Sequence, residues 1–365
     1  MHKTRLKYGI ISGFLTLLVH LFAVLGFGDF IYYCYNSYIF PIIRILYDYT
    51  FGLLPFPVIY LFLVLFVVFM ITFFAALYRS VRIEGFIKAS RSHTIKLINI
   101  FGWIITSFYF FWAFNYYGPD LDSKLRLREM TLDSLQLIDE FRHVTNILNK
   151  ERKFLSVDTN ELKVPIEWKT MENEIRNAQS ELLVSWGDKV WGRVRVRPLY
   201  PKGILLRIST AGVYIPFVCE GHIDAGMNKI QWPFTVAHEM AHGYGYTDEG
   251  VCNFIGLLSC IKSKDHFIRY SGYLSYWRYI YYDLKFAYPV IADEIYKDLN
   301  IGVKADLAAI RRDINRFPDI LPQLRDFIYD SYLKSHGVEK GLRSYNEIII
   351  RVQKWKKSDF GFEFD

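Results

Sequence analysis

TVAHEMAHGYGYTDEGVCNFIG, residues 235–256, sets two histidines four residues apart, with a glutamate between them and two acidic residues beyond a glycine-rich turn. On an α-helix, positions four apart share one face. His238 and His242 can therefore reach a single ion, while Glu239 falls where it can take a proton from a neighbouring water. No helix breaker lies between Pro233 and His242, and a proline in the first turn suits a helix start. A zinc site that keeps a position open for water needs a third protein ligand. Gly243 and Gly245 allow the chain to leave the helix and turn back, delivering Asp248 and Glu249. If a second helix starts at Asp248, then Glu249, Asn253 and Gly256 share a face. Gly256 then permits close approach to the first helix, and Asp248 serves as its N-cap. This wheel favours Glu249 as the third ligand; the spacing alone leaves Asp248 open. Closed structural zinc sites are usually rich in cysteine, so two histidines and a carboxylate point to an open, catalytic site for Zn2+.

The surroundings of this stretch are not those of a soluble enzyme. Of 365 residues, 52% are hydrophobic, 18% aromatic and only 22% charged, which directs attention to membrane segments. Tyr8 to Gly28, Tyr49 to Tyr78 and Leu97 to Pro119 carry no Asp, Glu, Lys or Arg. Roughly 20 helical residues cross a hydrocarbon layer of about 30 Å, so three spans are expected, near 8–28, 56–78 and 97–117. The first has no small-x-small cleavage site and reads as a retained anchor rather than a signal peptide.

Charge orients these spans. The N-terminal Lys3, Arg5 and Lys7 contribute +3. Residues 79–96 contribute +4, five basic residues against Glu84, and the two together equal the whole formal net charge of +7. Lysines and arginines beside a span are retained on the cytoplasmic side. The N-terminus and the 79–96 loop are thus expected inside, and everything after the third span outside. The positive charge is topological, so nucleic acid is excluded as a partner and the lipid bilayer is expected instead.

The expected fold class is α+β: a membrane domain over 1–118 and an extracytoplasmic domain over 119–365 that is mainly helical with a small β-sheet. Helical periodicity covers 131–149 and 168–185. Alternating and β-branched runs predict two or three strands between 189 and 222. From Phe234 to about 356 the pattern is helical, with breaks near 243–247, 300–302 and 336–341. Cys34, Cys219, Cys252 and Cys260 lack paired spacing, and buried thiols are expected.

The segments GVYIPFVCEG, WPFTVAHEMAHGYGYTDEGVCNFIGLLSC, FIRYSGY and SYLKSHGVEKGLRSYNEII, with LLPFPVIYL and FNYYGPDL before them, resemble an uncharacterised family of three-pass bacterial envelope proteins. That family is grouped with the zincin, MA-type metallopeptidases. Glu249 followed four residues later by Asn253 resembles the gluzincin pair, in which the glutamate binds zinc and the later residue orients a ligand histidine. The spacing that ends at Asp248 resembles metzincins, with Asp replacing the last His. The resemblance implies a second acidic residue and an alanine where Val251 and Cys252 stand, leaving one potential ligand fewer. It further implies that peptide lies along a sheet-edge strand, here Gly212 to Phe217; Glu220, which follows it, is either part of that site or a solvated loop carboxylate. It also makes Tyr270, Tyr273 and His336 the candidates for stabilising the oxyanion. The expected function is that of a membrane-anchored zinc metallopeptidase of the bacterial inner membrane, acting on peptide or protein substrates of the cell envelope. Its rivals are a catalytically silent sensor or scaffold and a zinc hydrolase of a non-peptide envelope amide. Oligomeric state is not legible.

Overall fold

A computed structural model describes residues 7–163, 167–320, 322–323, 347–361 and 364. His336, proposed above from sequence, lies outside the described residues. The described chain is mostly helical with a small open sheet, and it divides into two compact units: Met1–Gly118 with Ile215–Glu220, and Pro119–Tyr214 with Gly221–Asp365.

In the first unit, three helical runs are long and apolar enough to cross a membrane: Tyr8–Leu53, Ile59–Glu84 and Phe86–Phe111. The first comprises α1 (Tyr8–Phe22), α2 (Gly28–Cys34) and α3 (Phe40–Asp48), joined by wider turns. Gly26, at φ 111°, breaks the helix after α1 in a conformation open to glycine at little steric cost. At 46 residues the run far exceeds the roughly 20 needed for one crossing. α4 (Ile59–Glu84) and α5 (Phe86–Phe111) meet at Gly85, whose φ of 80° makes the corner. The expected 79–96 loop is therefore absent. Its basic residues extend the two helices, and α5 begins at Phe86 and ends at Phe111 rather than spanning 97–117. Long basic side chains can keep their heads in water while their stems cover apolar surface, so a cluster of charge at a span's end does not require a loop.

α1 packs on α5 through small residues. A Cβ on Gly13 would stand 2.7 Å from Gly102 Cα, and Asn99 Oδ1 accepts from the Gly9 amide at 2.9 Å. The 215–220 segment is held in this unit by backbone and charged contacts. Arg44 donates to the Cys219 carbonyl at 2.7 Å and to Asp48 at 2.5 Å, and Tyr47 donates to the Phe217 carbonyl at 2.8 Å. Glu220 accepts from the Val58 amide at 2.9 Å and is buried, so it is not a solvated loop carboxylate.

The second unit holds α6 (Leu121–Lys124), α7 (Ser134–Leu155) and α8 (Trp168–Ser185). Three strands follow: β1 (Val196–Leu199), β2 (Gly212–Ile215) and β3 (Glu220–Asp224). Their order is β1-β3-β2, with β1 parallel to β3 in the register Val196 to Gly221 through Leu199 to Asp224. The peptide-addition strand expected over 212–217 is shorter, because Pro216 opens a helical turn at 216–218. After the sheet come α9 (Trp232–Gly243), α10 (Glu249–Ile261), α11 (His266–Ala287), α12 (Pro289–Lys297), α13 (Ile301–Asn315) and α14 (Ile348–Lys356).

Helices start where the sequence supplies an acceptor for the first exposed amides. Asp133, Asp248, Asp265 and Asn300 cap α7, α10, α11 and α13 in this way. The core is centred on α9 and α10, with α7, α8 and α11 around them. All of α10 is buried, as is α9 from Pro233 onward. Glycines set the spacing: a Cβ on Gly256 would lie 3.2 Å from His238 N, and one on Gly272 of α11 would lie 2.6 Å from Cys260 Cβ. None of the four cysteines is in a disulfide.

Candidate metal centre

α9 ends where Gly245 takes φ 98°, and the chain reverses into α10. Gly243 stays helical, so Gly245 alone makes the left-handed turn. A Cβ on Gly243 would fall 2.3 Å from Val194 Cγ1, so this glycine serves packing. The reversal lays α10 along α9 and sets Glu249 opposite the two imidazoles. Its Oε2 lies 3.1 Å from His238 Nε2 and 3.5 Å from His242 Nε2. The three groups offer ligand atoms all within 4.8 Å of one another, and all three side chains are buried.

The far side of each ring fixes its orientation. His238 Nδ1 lies 2.9 Å from Asn253 Oδ1, and His242 Nδ1 lies 2.9 Å from the Tyr246 carbonyl oxygen. A carbonyl oxygen can only accept, so each Nδ1 carries the hydrogen and each Nε2 points a lone pair at Glu249 Oε2. Three acceptors thus converge on one buried point, an arrangement stable only around a cation, either a proton or a metal ion.

The charges follow from this crowding. Burial opposes ionisation of Glu249, yet His242 and His238 hold its carboxyl well below the usual range. Burial likewise opposes charge on His242, while Cys252 and Glu249 raise its pKa well above the ordinary value. Glu239 faces the other balance. Burial pushes it up to about 7, against the pull of the two imidazoles and with the help of the Glu249 charge. Its Oε2 has no hydrogen-bond partner among the described residues. Burial pushes the Cys252 thiol, 3.3 Å from His242 Nδ1, up to about 11 against the pull of His242.

The sequence-derived residues separate clearly. His238, Glu239, His242, Glu249 and Asn253 come together. Asp248 caps α10 instead, accepting from the Val251 amide at 2.7 Å with Arg351 3.8 Å away. Tyr270 is fully buried and donates to Asp306 at 2.7 Å; burial raises its pKa well above the ordinary value, and Asp306 raises it further. The Tyr270 hydroxyl is thus taken up by Asp306, while Tyr273 is also fully buried, with its ring against Phe364.

Residues of the expected peptide strand and one further tyrosine stand there too. Gly212 opens β2 against Glu239, where a Cβ would come within 2.4 Å of Oε1. Tyr214 lies with its ring 6.5 Å from that of His242. Tyr279 interacts with Asn253 and feels the Glu249 charge; burial first, and that charge in addition, raise its pKa to about 12. It sits nine residues after Tyr270, half a turn around α11, and so on the opposite face of that helix.

Residues 35–351 match the model of the family described as "Protein of unknown function (DUF3810)", and the chain belongs to that family. No curated protein and no solved structure matches the chain.

Proposed function

We propose that this family member is a membrane-anchored, zinc-dependent hydrolase of peptide bonds, related to the gluzincin branch of the zincins. The observation that carries the reading is the convergence of two Nε2 lone pairs and one carboxylate oxygen within 4.8 Å, with the buried carboxylate of Glu239, whose Oε2 has no partner among the described residues, beside them. The donor set fits zinc: two nitrogens and one oxygen, each nitrogen oriented by an acceptor behind its ring. His238, His242 and Glu249 would hold the ion, which when bound supplies positive charge that polarises a carbonyl and acidifies water.

The chain's own groups account for the rest of the chemistry. With its pKa lifted to about 7, Glu239 can accept the proton of an attacking water and return it to the leaving amine at neutral pH. Gly212 leaves the backbone of an edge strand open directly beside that carboxylate, where an extended peptide can pair with it. Tyr214 and Tyr279, rather than Tyr270 and Tyr273, stand where a hydroxyl could meet charge on the scissile carbonyl oxygen. By the distribution of Lys and Arg, the N-terminus is cytoplasmic and the catalytic unit extracytoplasmic, which gives it cell-envelope substrates.

The test is cleavage of a broad peptide library by the purified, zinc-loaded chain beside Glu239→Gln. Cleavage by the parent alone, with zinc in both, is the expected outcome. Zinc in both with cleavage by neither would replace the hydrolase with a metal-binding scaffold.

A further inference from the structure

A cavity of about 550 Å³ in the second unit adjoins the cluster. Three of its lining residues locate it. Thr235 precedes His238 by three residues and His242 by seven, on the same face of α9. Ala211 precedes the Gly212 that abuts Glu239, and Tyr279 interacts with Asn253. The walls are mainly apolar and aromatic, at Met227, Phe234, Tyr279, Tyr282, Ile314 and Phe317, interrupted by polar groups such as Gln231 and Asn315. A cavity of this size and character takes a bulky apolar group, with its few polar residues fixing orientation.

The wall farthest along the chain is held in place. The Ile320 amide donates to the Arg207 carbonyl at 2.9 Å, and the Ser209 hydroxyl bonds Asp319. Phe317 lies so close under Gly203 and Gly226 that a Cβ on either would overlap its ring, at 2.1 and 2.7 Å. The cavity is therefore formed before any ligand arrives. Arg278, half-buried in the same lining, forms no ion pair with a described residue. A cation beside apolar walls is suited to anchor an oxygen of a peptide backbone.

We infer that this cavity is a specificity subsite that receives a large apolar or aromatic side chain of an extended peptide, next to the bond presented to Glu239, with Arg278 anchoring the peptide's backbone. This inference rests on the peptidase reading for its substrate, but its test reads binding and not turnover.

The full-length, zinc-loaded Glu239→Gln chain in detergent is titrated with fluorescently labelled decapeptides differing at one position, Phe, Gly or Asp, and anisotropy is corrected for empty micelles. The Phe peptide is expected to bind on the order of tenfold to a hundredfold more tightly than the Gly peptide. Ser275→Trp, which fills the cavity, is expected to erase that preference while zinc content and Gly-peptide binding stay unchanged. Should Ser275→Trp not fold, Tyr282→Ala trims a largely exposed ring at the rim and is expected to cut the preference severalfold. Equal binding of the Phe and Gly peptides, or a preference untouched by both variants, overturns the inference. A Phe preference in a chain whose parent cleaves nothing sustains the subsite and removes the peptidase. Cleavage by the parent with no apolar preference does the reverse.

Discussion

Helices α9 and α10 and the first half of helix α11 are all deeply buried, yet the two regions treat their polar side chains in opposite ways. Along α11 three large buried side chains close on partners: Tyr270 on Asp306, Tyr276 on Glu140 at 3.1 Å, and Trp277 Nε1 on Thr145 at 2.9 Å. Asp306 and Glu140 each take a cation as a second donor, Arg152 at 2.7 Å and Lys356 at 3.0 Å, so no acceptor is left in excess. In α9 and α10 the partners behind the rings, Asn253 and the Tyr246 carbonyl, use up the donors. What remains is acceptors, all aimed inward. Burial alone therefore does not mark a site in this protein. A buried set whose hydrogen-bond capacity is unbalanced is what sets this region apart, because such a set is stable only with a proton or a metal ion at its centre.

The largest consequence concerns Glu239. Glu239→Gln removes the proton acceptor but none of the three ligands. It is expected to lower peptide hydrolysis by roughly a hundredfold to ten-thousandfold with zinc content unchanged, as measured by turnover and metal analysis of the same preparation. Next is the orienting shell. Asn253→Ala removes the acceptor behind His238 and is expected to weaken zinc affinity by roughly tenfold to a hundredfold, read by competition with a chromogenic chelator. An unchanged affinity would place Asn253 with the closed pairs of α11.

A buried imidazole outside both regions supplies a control on pH. Burial depresses the His222 pKa from 6.5 to about 3, with Arg195 and Arg197 adding to the effect. The unfolded chain takes up this proton below pH 6.5 and the folded chain does not, so stability is complete above 6.5 and falls as pH drops toward about 3. The slope from this one group approaches about 1.4 kcal/mol per pH unit. Thermal melts of His222→Gln against the parent are expected to diverge across that window and to run parallel above it. The smallest effect belongs to α11 itself. Tyr270→Phe breaks a closed pair and is expected to cost about 1 kcal/mol of stability while leaving hydrolysis unchanged. A large loss of turnover with native stability would restore Tyr270 as a participant in the chemistry.

The same contrast explains what the sequence discloses. The spacing of His238 and His242, the capping geometry of Asp248 and the shared face of Glu249, Asn253 and Gly256 are local regularities of a helix and its start, so they can be read along the chain. So can the three apolar runs. The face of α11 cannot, because the first half of that helix is buried nearly all round and carries no polar stripe to register it. Nor can the approach of Gly212 to Glu239 or the Tyr246 carbonyl behind His242, since the first depends on sheet order and the second on a backbone atom that every residue has. The basic segment at 79–96 misled for a related reason. Charge marks where a span meets water, but only the corner at Gly85 says whether helix or loop carries it there.

Zinc stoichiometry of the purified full-length chain bears most directly on whether His238, His242 and Glu249 form one site. The account predicts one zinc per chain in the parent and in Glu239→Gln, and loss of that zinc after extraction with a strong chelator or in His238→Ala, His242→Ala and Glu249→Ala alike. A parent that cannot be loaded with zinc, or a Glu249→Ala chain that retains it in full, would contradict the account.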